Sequence, residues 1–303
     1  MTHPTPNITV NVDLTNPGQF FACCGLLELA DRLWPGAEGW FVIECGEFAI
    51  HTEHGPTATL AKLIEELRNC DISGLTEEEN QEREFLEREK RRLKVEGDKL
   101  SDAQEQRRKE LGTKARAGAI RLGSPFSLVL DWWQIDDENT APKTWAGRQE
   151  LHRIARAAQN AIPAVGSYKE LLDYPAVMRL TSDYHKKKSD EDTTVEPFYF
   201  DARRFAHALD TGFSLDTQDA ETTAHPAVEL LTLVGLQRFR PHVASKRCFR
   251  HGVWTHPLST TVATAVTCGA IAGATTYEFY LLSRDDQDRY KQGNRLVRVA
   301  EFG

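Results

Sequence analysis

The side chains best suited to chemistry are concentrated in one segment, residues 238–251 (RFRPHVASKRCFRH). It contains five arginine or lysine residues, two histidines and two phenylalanines, and no acidic residue. Cations neutralise phosphates and release counterions, while aromatic faces stack on unpaired bases at about 1–3 kcal/mol each. The segment therefore predicts contact with a nucleic acid. The residues assigned to phosphates are Arg238, Arg240, Lys246, Arg247 and Arg250, and Phe249 is assigned to a base.

A second segment, residues 143–148 (KTWAGR), combines cations and an aromatic ring in the same way. Here Lys143 and Arg148 are assigned to phosphates and Trp145 to a base. A charged loop over 181–196 supplies a third candidate, YHKKK. The net charge of −8 argues against a general nucleic-acid binder. Because the field at a site depends on where charges lie, the basic segments still predict a local basic groove.

Signals for catalysis or for a bound cofactor are weak. The sequence contains no GxSxG, Walker A, HExxH or GxGxxG motif. Four histidines (His225, His242, His251 and His256) are close in sequence, but a helix cap and a basic surface explain them better than a metal site. The six cysteines include no CxxC pair, so we expect neither zinc nor a disulfide framework. An enzyme is the less favoured class, and no cofactor or metal is expected.

The pattern of apolar residues in the first half predicts strands and helices in a recognisable order. Asn16 and Pro17 open a long apolar helix, as an N-cap followed by proline at the first helical position. The predicted strands are 8–14, 40–44, 47–52 and 124–134, and a second helix covers 57–69. This β-α-β-β-α-β order is typical of the ferredoxin-like and RNA-recognition-type α+β fold. We assign it to residues 1–136.

An insertion, residues 75–118, interrupts this domain. Thr76 with Glu79 and Ser101 with Gln104 form two capping boxes, which predict two charged helices joined near Gly97. Pairs of opposite charge would stabilise a solvated helical hairpin. Alternatively, the hairpin is a thumb that extends about 30 Å to a partner, at about 1.5 Å per residue.

Residues 137–303 predict a second, related α+β half. Its helices are predicted at 145–161, from Pro226 onward and at 260–271, and its strands near 248–254, 277–283 and 295–302. The two apolar helices are similar in wording, NPGQFFACCGLLELADRLWP against HPAVELLTLVGLQRFRP. Each has a polar residue, a proline, an apolar run and a Gly-Leu pair, which indicates a weak internal repeat.

Membrane and export signals are missing from the sequence. No apolar run reaches the ~18–20 residues that span a bilayer, and the first residues lack the basic and apolar regions of a signal peptide. The expected location is the cytoplasm, with no membrane partner.

Four segments together resemble the third Csb family of CRISPR-associated proteins, found with type I-U (also called I-G) systems: NPGQFFACCGLLELADRLW, KTWAGRQE, PFYFDARRFAHALDTGFS and HPAVELLTLVGLQRFRP. The resemblance implies a non-catalytic, RAMP-like subunit of a Cascade-like RNA-guided interference complex. Its implied partners are CRISPR guide RNA, with target DNA as an alternative, and other effector subunits. In such subunits an inserted thumb and a basic palm hold the guide RNA by its phosphates, while base pairing supplies sequence specificity.

Two alternatives stay open. One is a metal-independent endoribonuclease that processes CRISPR RNA, with His242 or His251 as general acid or base, a role suited to a pKa near ~6.5. The other is a protein–protein adaptor whose charged hairpin docks a neighbouring subunit.

Overall fold

A computed structural model describes residues 3–117, 119–131, 150–164, 168–180, 194–204, 223–245, 248–271, 274–282 and 295–302. The chain folds as a mixed α+β protein with antiparallel sheets, as the sequence predicts. No helix in these residues has the length and apolar character required to cross a bilayer.

The first sheet has the strand order β1-β3-β2-β9. Its strands are β1 (Ile8–Asn11), β2 (Glu38–Val42), β3 (Glu47–His51) and β9 (Leu258–Ser259). The strands β1 and β2 both run antiparallel to β3, and helix α1 (Pro17–Leu33) connects them. The Asn16 side chain accepts a hydrogen bond from the Gly18 amide, which confirms the predicted N-cap.

The predicted fourth strand lies in a different sheet. Within the range 124–134, Leu128–Leu130 forms β6, which pairs with β5 (Ile120–Leu122) and not with β1. Strand β5 pairs in turn with β4 (Ile72–Ser73), so these strands form a three-stranded sheet of order β4-β5-β6. The physical reason is that β4 and β5 flank the insertion and supply the backbone partners. The preceding helix, α2 (Leu60–Asn69), begins at Thr59, whose hydroxyl caps it.

The insertion folds as the predicted helical hairpin, with α3 (Glu77–Glu96) and α4 (Asp102–Ala117). Both capping boxes are present as reciprocal hydrogen bonds. Opposite charges join the two helices, and Leu86 and Leu111 are buried. The ion pairs between the helices are Glu79–Lys114, Glu82–Arg107, Glu87–Arg108 and Lys90–Glu105.

The second half supplies another antiparallel sheet, of order β11-β10-β8-β7. Its strands are β7 (His242–Ser245), β8 (Cys248–Val253), β10 (Thr275–Leu282) and β11 (Arg295–Phe302), which confirm the three predicted strands. The described helices are α5 (Leu151–Ala161), α6 (Pro226–Arg238) and α7 (Thr260–Thr267). Helix α7 ends before the predicted residue 271 because Gly269, at a φ of 76°, turns the chain.

The two apolar helices cross at the glycines of the weak repeat. A Cβ atom on Gly25 would lie 2.0 Å from the Leu231 carbonyl oxygen, and one on Gly235 would lie 2.1 Å from that of Phe21. Only glycine permits this close approach of two backbones. The repeat therefore aligns at its Gly-Leu pairs, and α1 and α6 form the centre of the core.

Candidate nucleic-acid interface

Strand alternation divides the side chains of the second sheet between two faces. On one face, Phe249, His251 and Phe279 pack toward the rings of Phe20 and Phe21 in α1. The other face carries the alternate residues, of which Arg250 and Tyr280 are exposed. We call the three residues Arg250, Glu278 and Tyr280 the outer-face cluster. Neighbours in the sequence point to opposite faces because a strand has a two-residue period.

The outer-face cluster is held together by one carboxylate. The Arg250 Nε donates to Glu278 Oε2 at 2.7 Å, and the Tyr280 hydroxyl donates to Glu278 Oε1 at 2.7 Å. The antiparallel register places Arg250 directly opposite Glu278. The Glu278 side chain is 7% exposed, whereas Arg250 remains 48% exposed and the Tyr280 residue 46%. A cation and an aromatic ring are thus fixed next to each other on an open surface.

The same hydrogen bonds shift the acid–base behaviour of the cluster. The bond to Glu278 raises the pKa of the Tyr280 hydroxyl to about 12. Bonds from Tyr280 and then Arg250 lower the pKa of Glu278. Both shifts favour the ionised carboxylate and the protonated phenol, which are the forms that make these hydrogen bonds.

The assignment of Phe249 to a base is corrected. Phe249 is 4% exposed, and its ring stacks on Phe279 with a centroid distance of 5.5 Å. Alternation along β8 turns Phe249 into the core whenever Arg250 points outward. The exposed ring beside Arg250 is Tyr280, on the neighbouring strand. Pairing the predicted strand 277–283 with 248–254 could have found it, but the register is not visible in the sequence.

Two other residues that were assigned to phosphates form contacts within the protein. Arg238, at the end of α6, forms an ion pair with Glu28 of α1, with Nε 2.5 Å from Oε2. The Glu28 side chain is only 3% exposed, so Arg238 neutralises a buried charge. The Arg240 Nε donates to the Gln237 carbonyl oxygen at 3.3 Å. The remaining predicted site residues lie outside the described residues: Lys143, Trp145, Arg148, Lys246 and Arg247.

The two histidines considered for acid–base chemistry differ in exposure. His251 is 1% exposed, and its ring lies 4.0 Å from that of Phe20. Burial lowers the pKa of His251 to about 3, so the ring is neutral and enclosed at physiological pH. Its burial argues against His251 as a general acid or base. His242 is exposed on β7, opposite Arg250. No group of three histidine, cysteine or acidic side chains in the described part of the chain could hold a metal ion.

A cavity of about 240 Å³ lies beside the outer-face cluster. Its wall combines strand β8 with the last residues of α7, because the helix approaches the sheet at Gly252. A Cβ atom on Gly252 would lie 2.5 Å from the Val266 carbonyl oxygen. The residues that line the cavity include His242, Arg250, Thr267, Cys268, Ile271 and Thr276.

A buried polar network, which sequence reasoning missed, lies at the N-termini of α1 and α6. Asp201 Oδ1 accepts a hydrogen bond from Asn16 Nδ2 at 2.8 Å, and Oδ2 lies 2.6 Å from His225 Nδ1. The Arg203 guanidinium also binds this carboxylate. Burial by itself would raise the pKa of Asp201, but the bonds from His225 and Arg203 outweigh burial and hold that pKa well below its ordinary range.

Glu229 completes this network from inside α6. It is fully buried, and its carboxylate accepts hydrogen bonds from the Phe200 and Asp201 amides at 3.2 Å each. The network therefore fixes the segment 200–203 against both central helices. The sequence did contain a signal for this network, because an acidic residue within an otherwise apolar helix needs a hydrogen-bonding partner when it is buried. Three of the four segments that carry the family resemblance meet here.

Comparison with known proteins gives no relative to guide the assignment. No protein-family model matches the chain, and no curated protein or solved structure shows significant similarity to it.

Proposed function

We propose that this protein is a non-catalytic nucleic-acid-binding subunit of a type I CRISPR RNA-guided interference complex, and that it holds guide RNA on the outer face of the second sheet. The observation that carries this proposal is the outer-face cluster. It presents an exposed guanidinium and an exposed aromatic ring side by side on a β-sheet. The assignment to such a complex comes from the resemblance of the sequence segments.

The chemistry of the cluster suits a single strand of RNA. RNA-binding sheets stack unpaired bases on aromatic side chains and neutralise the flanking phosphates with cations. Tyr280 would stack on a base, and Arg250 would contact a phosphate while retaining its bond to Glu278. Lys246 and Arg247, which lie outside the described residues, are proposed as further phosphate contacts on the basis of their charge.

A divergent ferredoxin-like domain is part of the same proposal. The β1-β3-β2 order, with α1 crossing from β1 to β2, is the arrangement of a split β-α-β unit. The fourth strand of that fold would pair with β1, a place that no described strand occupies. We propose that the two sheets and the central helices derive from such units, in keeping with the α1–α6 repeat.

The test is binding of the full chain to a fluorescent CRISPR repeat–spacer RNA over a series of salt concentrations. Tyr280→Ala should cost about 1–3 kcal/mol of binding free energy, the value of one base stack. Arg250→Gln should lower affinity and reduce the salt slope by about 1, the effect of one lost phosphate contact. Arg121→Gln, at an exposed position on β5, is the matched control.

Three results would reject this placement. The first is that the unaltered protein shows no salt-sensitive binding. The second is that both outer-face variants keep their affinity for RNA, and the third is that the Arg121 control loses as much affinity as they do. Urea unfolding of each variant shows whether a lost affinity reflects lost folding. A gel of the same samples detects cleavage. Cleavage in EDTA that His242→Ala abolishes would favour the ribonuclease instead.

The adaptor function has one observation in its favour. Two large apolar side chains on α3, Phe85 and Val95, are 53% and 89% exposed. A neighbouring subunit that docked along α3 would cover these apolar side chains. Replacing residues 75–118 with a short Gly-Ser linker tests it. Loss of complex assembly with unchanged RNA affinity would indicate an adaptor.

A further inference from the structure

We infer that the cavity between β8 and the end of α7 accepts one base of the bound single strand, and that it prefers bases with an exocyclic amino group. This inference rests on the proposed function and makes it more specific. It concerns which part of the nucleic acid enters the protein and which bases fit.

The size of the cavity favours a single ring system. Pockets for drug-sized ligands enclose ~300–1,000 Å³, whereas this one measures about 240 Å³. Ile271 and Ala274 supply apolar surface for the faces of a ring, and Thr276 adds a hydroxyl at the wall. A whole nucleotide would not be enclosed, so the sugar and the phosphate would remain outside.

The end of α7 supplies hydrogen-bond acceptors. The Gly269 amide donates to the Val266 carbonyl oxygen, and the Ala270 amide donates to that of Ala265. The carbonyl oxygens of Thr267 and Cys268 accept no hydrogen bond from any residue that the structure describes. The C-terminus of a helix also carries partial negative charge. Because Thr267 and Cys268 line the cavity, we expect their carbonyl oxygens to favour N–H donors there, such as the amino groups of adenine and cytosine, and to disfavour a phosphate.

A cation also borders this cavity. Arg250 and His242 both line it, and both are exposed to solvent. Helix-end acceptors and an exposed cation around one cavity match a nucleotide whose base enters the cavity and whose phosphate stays beside Arg250. Tyr280 lies on the same sheet face, where it can stack on a neighbouring base.

Two cysteines make the inference directly testable. Cys268 is half-buried and lines the cavity, whereas Cys45 is exposed on the turn between β2 and β3. The other cysteines (Cys23, Cys24, Cys70 and Cys248) are buried. The rate of alkylation by iodoacetamide is measured at Cys268 and Cys45 by peptide mass spectrometry, with and without RNA. Oligoadenylate should slow the alkylation of Cys268 roughly tenfold, the effect of occupancy by a contact worth about 1.4 kcal/mol, and leave Cys45 unchanged.

Base preference gives a second readout. Uracil carries one ring N–H but no amino group, so it offers these acceptors fewer donors, and oligouridylate should protect Cys268 less than oligoadenylate does at equal occupancy of the protein. Cys268→Phe fills the cavity and should lower affinity for oligoadenylate more than for oligouridylate. The matched control, Cys45→Phe, should change neither affinity.

The outcomes separate the inference from the proposed function. If neither of these RNAs nor the repeat–spacer RNA binds, the proposed function fails. If RNA binds in a salt-sensitive manner while Cys268 is alkylated at its free rate, the cavity is not the base site although the function stands. Equal protection by the two RNAs would overturn the amino-group preference. The footprint uses the unaltered protein, so it decides the question even if Cys268→Phe does not fold.

Discussion

Replacing His251 with phenylalanine should make the stability of this protein less sensitive to acid. The imidazole lies among the rings of Phe20, Phe21, Tyr277 and Phe279, and neither ring nitrogen has a partner among the described residues. Burial lowers its pKa in the folded protein from 6.5 to about 3. The folded state therefore keeps His251 neutral, while the unfolded chain binds a proton below its ordinary pKa.

The sign and size of the effect follow from this difference in pKa. Above pH 6.5 the protonation of His251 does not lower the free energy of unfolding. Below pH 6.5 this free energy falls as the pH drops toward 3, because only the unfolded state gains a proton. At about 1.36 kcal/mol per pH unit, the protein loses about 2 kcal/mol between neutrality and pH ~5. His251→Phe removes that loss. At pH ~7.5 the gain from removing unpaired nitrogens, about 1–3 kcal/mol, is offset by the cost of a larger ring, about 1–3 kcal/mol.

Urea unfolding of both proteins at pH ~7.5 and ~5 measures the quantity that matters, which is the change in their stability difference between the two pH values. We expect the variant to gain about 2 kcal/mol relative to the unaltered protein on acidification. His242→Phe is the control, since His242 is exposed and its substitution should give no such pH-dependent gain. The same stability difference at both pH values would refute the reasoning.

Two further predictions concern the core. Gly25→Ala and Gly235→Ala should each destabilise the protein by about 3 kcal/mol in urea unfolding, because the new methyl group would meet a carbonyl oxygen of the other helix. The double variant should lose less than the sum, since both changes separate the same helix pair; simple additivity would contradict the shared crossing. Asp201→Asn should cost about 3–5 kcal/mol at neutral pH, because Arg203 and His225 lose their buried partner. The lowered pKa of Asp201 means that its contribution is present above the ordinary carboxyl range and lost as the pH falls through and below it. The unfolding free energy of the variant should therefore depend less on pH in acid, and an unchanged acid profile would count against the ion pairs.

Local signals in the sequence were reliable where one segment carries all the information. Asn16 followed by Pro17 fixes the start of α1, and the two capping boxes fix the starts of α3 and α4. The strands near 248, 277 and 295 lie where the sequence predicts them. These features depend on neighbours within about four residues, so tertiary contacts only reinforce them.

Sheet membership could not be inferred in the same way. The segment around Leu128–Leu130 forms a strand as predicted, yet it pairs with β5 and not with β1. The sequence of a strand does not specify which strand it pairs with. The short strands β4 and β5, beside the insertion, form the sheet that this strand joins. The ferredoxin-like order predicted for residues 1–136 therefore remains a proposal.

By itself the sequence determined the α+β class, the charged hairpin, the two apolar helices and the basic character of the segment 238–251. Only the tertiary structure decided what each side chain in that segment does. It turned Phe249 and His251 into the core, paired Arg238 with Glu28, and placed Arg250 beside Tyr280 through a shared carboxylate. The physical reason is that burial and ion pairing depend on the strand register and on the helix that covers the sheet. Both are set by residues far away in the chain, which no local pattern records.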